Sequence, residues 1–298
     1  LQGNVDAIYF NEKLYIGKRE EVFVYNESTG NFDLFYHLAG KNITLSCLHL
    51  DKNKNLWMGT TSNGIYCLSE DKSLSQPVTK GNITSIYEDS SNELWIGSWE
   101  EGLYRVKTDG NIENLRHNPM NTNSLCSNFV RSCCEDNSGD LWIGTFNGLN
   151  RYDRETGKFH LYTANGNSPD GLTHSSIWCI VKDGQGTIWL GTYFGGVNYF
   201  NPEYEIYTRY KVGDTEKEGL SSPIVGRMTE DKDGNLWICT EGGGVNVYDR
   251  INNTYRWYRH EEGRNSISHN NVKAIYYDRA NEIMWIGTHL GGLNKLDL

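Results

Sequence analysis

Proline is scarce in this chain, with five residues in 298, and methionine is scarcer still, with four. Basic residues are outnumbered: 28 Lys and Arg against 38 Asp and Glu leave a formal charge of −10. That balance lacks the basic footprint that general nucleic-acid binding needs, though it leaves room for a local basic pocket. No apolar run approaches the ~20 residues that span a bilayer as a helix, so no membrane contact is expected of this segment. Helical periodicity is missing too, never holding for more than about a turn. The seven cysteines are an odd number without framework spacing, so buried free thiols are expected rather than a disulfide scaffold. No Cys-x-x-Cys or His-x-x-x-His pair, phosphate loop, Gly-x-Ser-x-Gly elbow or nucleotide fingerprint is present. Neither a metal nor a cofactor is expected.

What the chain has in quantity is glycine and aromatics: 32 Gly, 19 Tyr and 9 Trp. Such a mix favours strands and tight turns. One motif recurs seven times: Leu14-Tyr15-Ile16-Gly17, Leu56-Trp57-Met58-Gly59, Leu94-Trp95-Ile96-Gly97, Leu141-Trp142-Ile143-Gly144, Ile188-Trp189-Leu190-Gly191, Leu236-Trp237-Ile238-Cys239 and Met284-Trp285-Ile286-Gly287. Successive aromatic positions differ by 42, 38, 47, 47, 48 and 48. A period of about 40–50 residues is that of a propeller with one four-stranded blade per repeat. The expected fold is therefore all-β, a single seven-bladed β-propeller over residues 1–298.

Each unit opens on an apolar strand such as Val130 to Glu135 and turns through an Asp-rich segment such as Asp136-Asn137-Ser138-Gly139. It then runs through the Trp strand, a glycine turn, a third strand and an outer strand. The seventh repeat ends on its third strand, Leu293 to Asp297, so blade seven is expected to lack its outer strand within this chain. Leu1 falls in mid-pattern, as in an excerpt from a longer protein. A large Trp on the second strand suits the widening wedge between blades, and small residues suit the crowded axis. The inner-strand column Ala7, Cys47, Ser85, Ser132, Cys179, Arg227 and Ala274 is small except at Arg227. That arginine is either a satisfied structural residue or a ligand contact. The Asp turns are expected to stabilise themselves.

The motif Asp-x-x-Gly-x-Leu-Trp-Ile-Gly-Thr, Gly-Leu-Asn-x-Tyr-Asp and Thr-Gly-x-Phe at residues 136–159, preceded by Asn-Ser-Leu-x-Ser-Asn-x-Val at Asn123 to Val130, resembles the two-component regulator propeller repeat. The resemblance covers the chain. It weakens in repeat one, with Tyr15 for Trp and Lys18 for Thr, and in repeat three, whose outer strand is poorly marked. It implies the periplasmic sensor region of a hybrid two-component histidine kinase and response regulator that senses oligosaccharides. The implied neighbour is an adjoining propeller or β-sandwich domain of the same receptor.

Two loop sets must share one end of the ring, those leading into the inner strands and those following the Trp strands. One position in the second set carries Trp99, Phe146, Tyr193, Glu241 and His289. Aromatics mixed with polar groups suit a saccharide ring; the alternative is packing on the neighbouring loop. One step before the small column lie Asp6, Ser46, Thr84, Arg131, Trp178, Gly226 and Lys273. Arg131 and Lys273, with Arg227, would form a basic patch for an anionic or hydroxyl-rich oligosaccharide, unless acidic neighbours such as Glu241 or Asp6 neutralise it. No catalytic residues are expected. Streptogramin lyases share a similar Leu-Trp repeat and offer the enzymatic alternative, with His174, His269 and His289 as candidates. A protein-interaction or homodimer scaffold is the third reading. Tyr207, Tyr210, Tyr255, Trp257 and Tyr258 are candidate rim contacts, with ordinary edge packing as the alternative.

Overall fold

The computed structural model describes residues 5–10, 13–38, 43–75, 77–164, 171–201 and 206–298, with the backbone alone at 5–10, 201, 206, 207 and 209. Seven antiparallel sheets of three or four strands succeed one another along the chain. Their innermost strands are Val5–Phe10, Leu45–Leu50, Ile83–Glu88, Val130–Glu135, Ile177–Lys182, Val225–Glu230 and Val272–Asp278. Each inner strand touches the next, and the seventh returns to the first. The sheets thus close into a seven-bladed ring around an axis lined by inner strands.

The large rings of the second strands fill the wedge between blades where they are best buried. Trp95, Trp142 and Trp189 are almost inaccessible to solvent. Trp142 meets Tyr162 of its own blade at 5.5 Å and Phe200 of the next at 4.8 Å between ring centroids. Trp189 repeats this with Tyr210 and Tyr248. The outer-strand aromatics are therefore used inside the ring: Tyr258 stacks on Trp237, Tyr255 on Tyr248, and Trp257 donates its indole N–H to the Gly219 carbonyl. The Tyr207 side chain lies outside the described residues.

Blade seven has three strands, ending at Gly292–Asp297. Blade two also has three, a difference from the four expected. After Ile65–Leu68 the chain returns through an isolated bridge from Leu68 to Leu74 and through scattered bonds from the Ser75 and Val78 N–H groups to the Cys67 and Ile65 carbonyls, without a regular ladder. The Ser75 hydroxyl, not a backbone carbonyl, accepts the Cys67 N–H, and Pro77 has no N–H to extend a ladder. Blade three does form its weakly marked outer strand, Ile112–Leu115.

The Asp turns do more than stabilise themselves. Asp51, Asp89, Asp136, Asp183 and Asp231 each lie six residues before the blade's Trp and accept its indole N–H at 2.7–2.9 Å. The other carboxylate oxygen accepts backbone N–H groups of the turn, as at Ser138 and Asp140 for Asp136. Blade seven breaks the spacing. Asp278 is seven residues before Trp285, and that indole N–H is buried without a partner among the described residues. All seven cysteines are free, five of them buried and Cys67 and Cys126 half-buried.

Candidate functional site

The variable polar column owes its position to a repeated irregularity. In blades two to seven the inner strand slips register against the Trp strand after its first residue. The extra residues are Ser46, Thr84, Arg131, Trp178, Gly226 with Arg227, and Lys273. A β-bulge opposes two residues to one and re-aims the extra side chain. Here Ser46, Thr84, Arg131, Trp178, Arg227 and Lys273 all line a central cavity of about 710 Å³. No Asp or Glu lines it among the described residues. Blade one pairs without a slip, and the Asp6 side chain lies outside the described residues.

Blade six departs from the pattern twice, at positions that pair with each other in blades two to five and seven: Arg227 stands in the small column, and Cys239 stands where the other six motifs have glycine. In blades two, three and five the glycine of the Trp motif meets the small inner-strand residue. A Cβ on Gly59, Gly97 or Gly191 would stand 2.5, 2.5 or 2.6 Å from Cys47 Sγ, Ser85 Oγ or Cys179 Sγ. In blade six Cys239 occupies that glycine place, and pairing is lost across Gly226 and Arg227 together. A Cβ on Gly226 would lie 3.5 Å from Cys239 Cβ, an ordinary contact. The extra thiol group therefore goes with an inner strand that gives way, and Arg227 leaves the packing column for the cavity.

Arg131 stands between two indoles. Its guanidinium carbon is 3.8 Å from the Trp178 ring centroid and 4.5 Å from that of Trp99. The Tyr193 ring stacks on Trp178 at 5.5 Å and 19°. Phe194 meets Tyr193 edge-on at 4.3 Å. On the other side Phe129 contacts Trp99 at 5.6 Å and Phe146 at 6.2 Å. The result is one continuous row across blades three to five: Phe146, Phe129, Trp99, Arg131, Trp178, Tyr193, Phe194. The two end residues are the exposed ones, Phe146 at 47% and Phe194 at 57%. Arg131 Nε is buried with no hydrogen-bond partner among the described residues. Burial pushes the guanidinium down to about 10, with the Tyr193 phenol acting in the opposite sense. It stays a cation at neutral pH.

The motif residues hold this row in place. The N–H groups of Trp99, Phe146, Tyr193, Glu241 and His289 each donate to a carbonyl just before the inner strand of their own blade, at 2.8–3.0 Å. The third-strand residues Asn150, Asn198 and Asn246, all buried, and Asn294, half-buried, accept backbone N–H groups of Cys126, Thr173, Ser221 and Ser268. Thr145, Thr192, Thr240 and Thr288 donate their hydroxyls to glycine carbonyls closing the Trp-strand loops. Both loop sets are therefore tied together, and the side chains between them have little freedom.

Five of the nine residues singled out in the sequence meet in this row: Trp99, Phe146, Tyr193, Arg131 and Trp178. Lys273 and Glu241 instead form an ion pair between blades seven and six, as the neutralised reading of the patch allows. Arg227 lies in the cavity, near enough to the Cys179 and Cys239 thiols for its charge to act against their burial. His289 belongs to the same loop position in blade seven, outside the row. His174 and His269 each accept, at Nδ1, the N–H two residues on, which is a local turn contact. Phe129 and Phe194 were not singled out. Phe194 had a signal: it precedes Gly195-Gly196 at the place of Gly242, and both have positive φ, 74° and 78°. A bulky residue there costs about 1–2 kcal/mol of backbone strain, and its ring is exposed. Leu290 does the same in blade seven, at φ 62° and 68% exposure.

Five segments, residues 77–100, 124–147, 171–194, 219–242 and 266–289, match the two-component regulator propeller repeat. Each runs from the loop before an inner strand to the loop after the Trp strand, so the matched units are those that frame this row. No curated protein sequence matches the chain. Among solved structures the fold is similar to streptogramin B lyase, at 15% identity and a TM-score of 0.75, over 99% of this chain and 93% of that one. It is similar to a catalytically inactive virginiamycin B lyase from Staphylococcus aureus with quinupristin, at 16% and 0.76, over 100% and 95%. The extracellular domain of a protein described as a hybrid two-component system from B. thetaiotaomicron matches at 22% and 0.53, over 99% of this chain and 46% of that domain. At these identities the likeness is one of fold.

Proposed function

The chain is built from two-component regulator propeller repeats, and on that premise we propose that it is an extracytoplasmic sensing propeller of a hybrid two-component receptor, binding an oligosaccharide on the loop face around Arg131. The observation that carries this is the row of Trp99, Arg131, Trp178 and Tyr193 with exposed Phe146 and Phe194 at its ends. A sugar ring offers C–H groups to an aromatic face and hydroxyls to polar edges. The exposed phenyl rings supply the faces. Arg131 supplies the edges, because stacking occupies the faces of a guanidinium and leaves its in-plane N–H groups to donate. Trp178 is in contact with both Arg131 and Tyr193, so its role is to orient the arginine rather than to hold sugar. A site fixed by so many backbone ties binds with little loss of loop freedom.

The receptor reading places this ring in the periplasm beside a further propeller or β-sandwich domain, with sensing rather than catalysis as its task. Calorimetry against neutral, uronic and sulfated oligosaccharides tests it. Phe194→Ala and Arg131→Ala should each weaken binding at least tenfold. Failure of every saccharide to bind, or unchanged affinity in both variants, refutes the site.

A further inference from the structure

The half-buried arginines among the described residues follow a rule that Arg131 breaks. Arg105 pairs with Glu93 at 2.7 Å, Arg151 with Asp140 at 2.7 Å and Arg154 with Asp89 at 2.6 Å, and Arg250 pairs with both Asp183 and Glu230. Each returns the cost of taking a guanidinium out of water by meeting a carboxylate. Arg131 meets none among the described residues, and makes no hydrogen bond to them either. Aromatic contact supplies part of the compensation, but it uses none of the five N–H donors. In a chain of net charge −10, carboxylates are not in short supply. The cavity beside Arg131 nevertheless holds Arg227 and Lys273 and no described Asp or Glu. Lys273 is balanced from outside by Glu241.

Resting on the reading of this face as saccharide-binding, we propose that the ligand is anionic: a carboxylate or sulfate carried on the sugar meets the N–H edge of Arg131 at the channel mouth, while the sugar ring lies on Phe194 or Phe146. The two indoles hold the guanidinium so that its donor edge is oriented before the ligand arrives, and a planar fork matches a carboxylate or sulfate with two parallel bonds. A neutral sugar would satisfy the donors but leave the charge unbalanced. The site thus selects by charge at Arg131 and by ring shape at the flanking phenyls.

Two measurements on the whole chain separate this inference from the saccharide reading. The first is calorimetry with tetragalacturonate and with its methyl ester, which keeps the rings and removes the charge. The acid should bind at least tenfold tighter, with an advantage that shrinks as salt is added. Arg131→Gln should bring the acid down to the ester, and Arg131→Lys should fall between them. Equal binding of acid and ester, unchanged in Arg131→Gln, overturns the anionic inference and leaves the saccharide reading standing. The second measurement titrates sodium sulfate against sodium chloride at constant ionic strength and follows the Arg131 Nε–Hε resonance. A saturable shift specific to sulfate supports an anion site even if no sugar in the panel binds, in which case the saccharide reading falls alone. No such shift overturns the inference whatever the sugars do.

Discussion

Asp136→Ala is the most informative substitution in the scaffold, because blade seven contains its natural control. Asp136 accepts three hydrogen bonds, from the Trp142 indole at 2.8 Å and from the Ser138 and Asp140 N–H groups at 2.8 and 3.0 Å. It has no ion pair to confuse the result, unlike Asp89 and Asp183. Trp142 is wholly buried, so its N–H would be left without water, at a cost of about 1–3 kcal/mol. The turn N–H groups lie near solvent, so each lost bond there costs about 0.5–1.5 kcal/mol at most. The total is roughly 2–6 kcal/mol. Asp278 makes the same kind of turn contacts, from Ala280 and Asn281, but the Trp285 indole is already without a partner among the described residues. Asp278→Ala should therefore lose its three turn bonds alone, at about 0.5–1.5 kcal/mol each at most, with no added cost for an indole left unpaired. Equilibrium unfolding in urea, read at constant m value, gives both numbers. A cycle with Trp142→Phe should show a coupling of about 1 kcal/mol or more between Asp136 and the indole. Equal losses at the two aspartates, or no coupling, would refute the claim that the indole bond is what the six-residue spacing provides.

Three further outcomes follow from the packing. Gly191→Ala places a Cβ 2.6 Å from Cys179 Sγ and 2.7 Å from Val225 Cγ1 and should lose about 1–3 kcal/mol, whereas Gly226→Ala meets only a 3.5 Å contact and should lose less than about 0.5 kcal/mol; urea midpoints that rank the other way contradict the account of blade six. Burial alone would raise the Asp89 carboxyl, but hydrogen bonds from Trp95, the Glu93 N–H and Arg154, together with the arginine's charge, hold it below the ordinary Asp value. Its contribution is complete above the unfolded value near ~3.9 and is lost as the pH falls through the lower folded one. Arg154→Gln should therefore shift acid unfolding, followed by tryptophan fluorescence, to higher pH; an unchanged or lower midpoint counts against the network. The exposed Lys273–Glu241 pair should contribute no more than about 1 kcal/mol in a double-mutant cycle, shrinking in salt, and a larger value would mark it as more than a surface contact.

The residues of the repeat were legible because their roles are local. A Trp six residues after an Asp reads the same in blades two to six, a small residue opposite the motif glycine in blades two to five and seven, and an Asn two residues after a loop glycine in blades four to seven. Where the spacing changes, the structure changes with it: one added residue leaves Trp285 without its acceptor, and a 38-residue interval with Pro77 leaves blade two without a regular outer strand. The site was half legible. The loop position of Trp99, Phe146 and Tyr193 and the column of Arg131 and Trp178 could be found by register alone. That these five meet, while Lys273 turns to Glu241, could not, since the residues lie on three different blades and up to about 90 positions apart in the chain.

From the sequence alone came the all-β ring, its seven blades, the common end of the two loop sets and the exceptional status of Arg227 and Cys239. These follow from period and from turn chemistry, which act within one repeat. Only the tertiary structure decided that Arg227 and Cys239 are a single compensated exchange, that a bulge turns the polar column into the channel, and that Arg131 sits between two indoles without a carboxylate. Those facts depend on which side chains face each other across blades and across a slipped register. Both are set by the closure of the ring, and no stretch of the chain encodes either by itself.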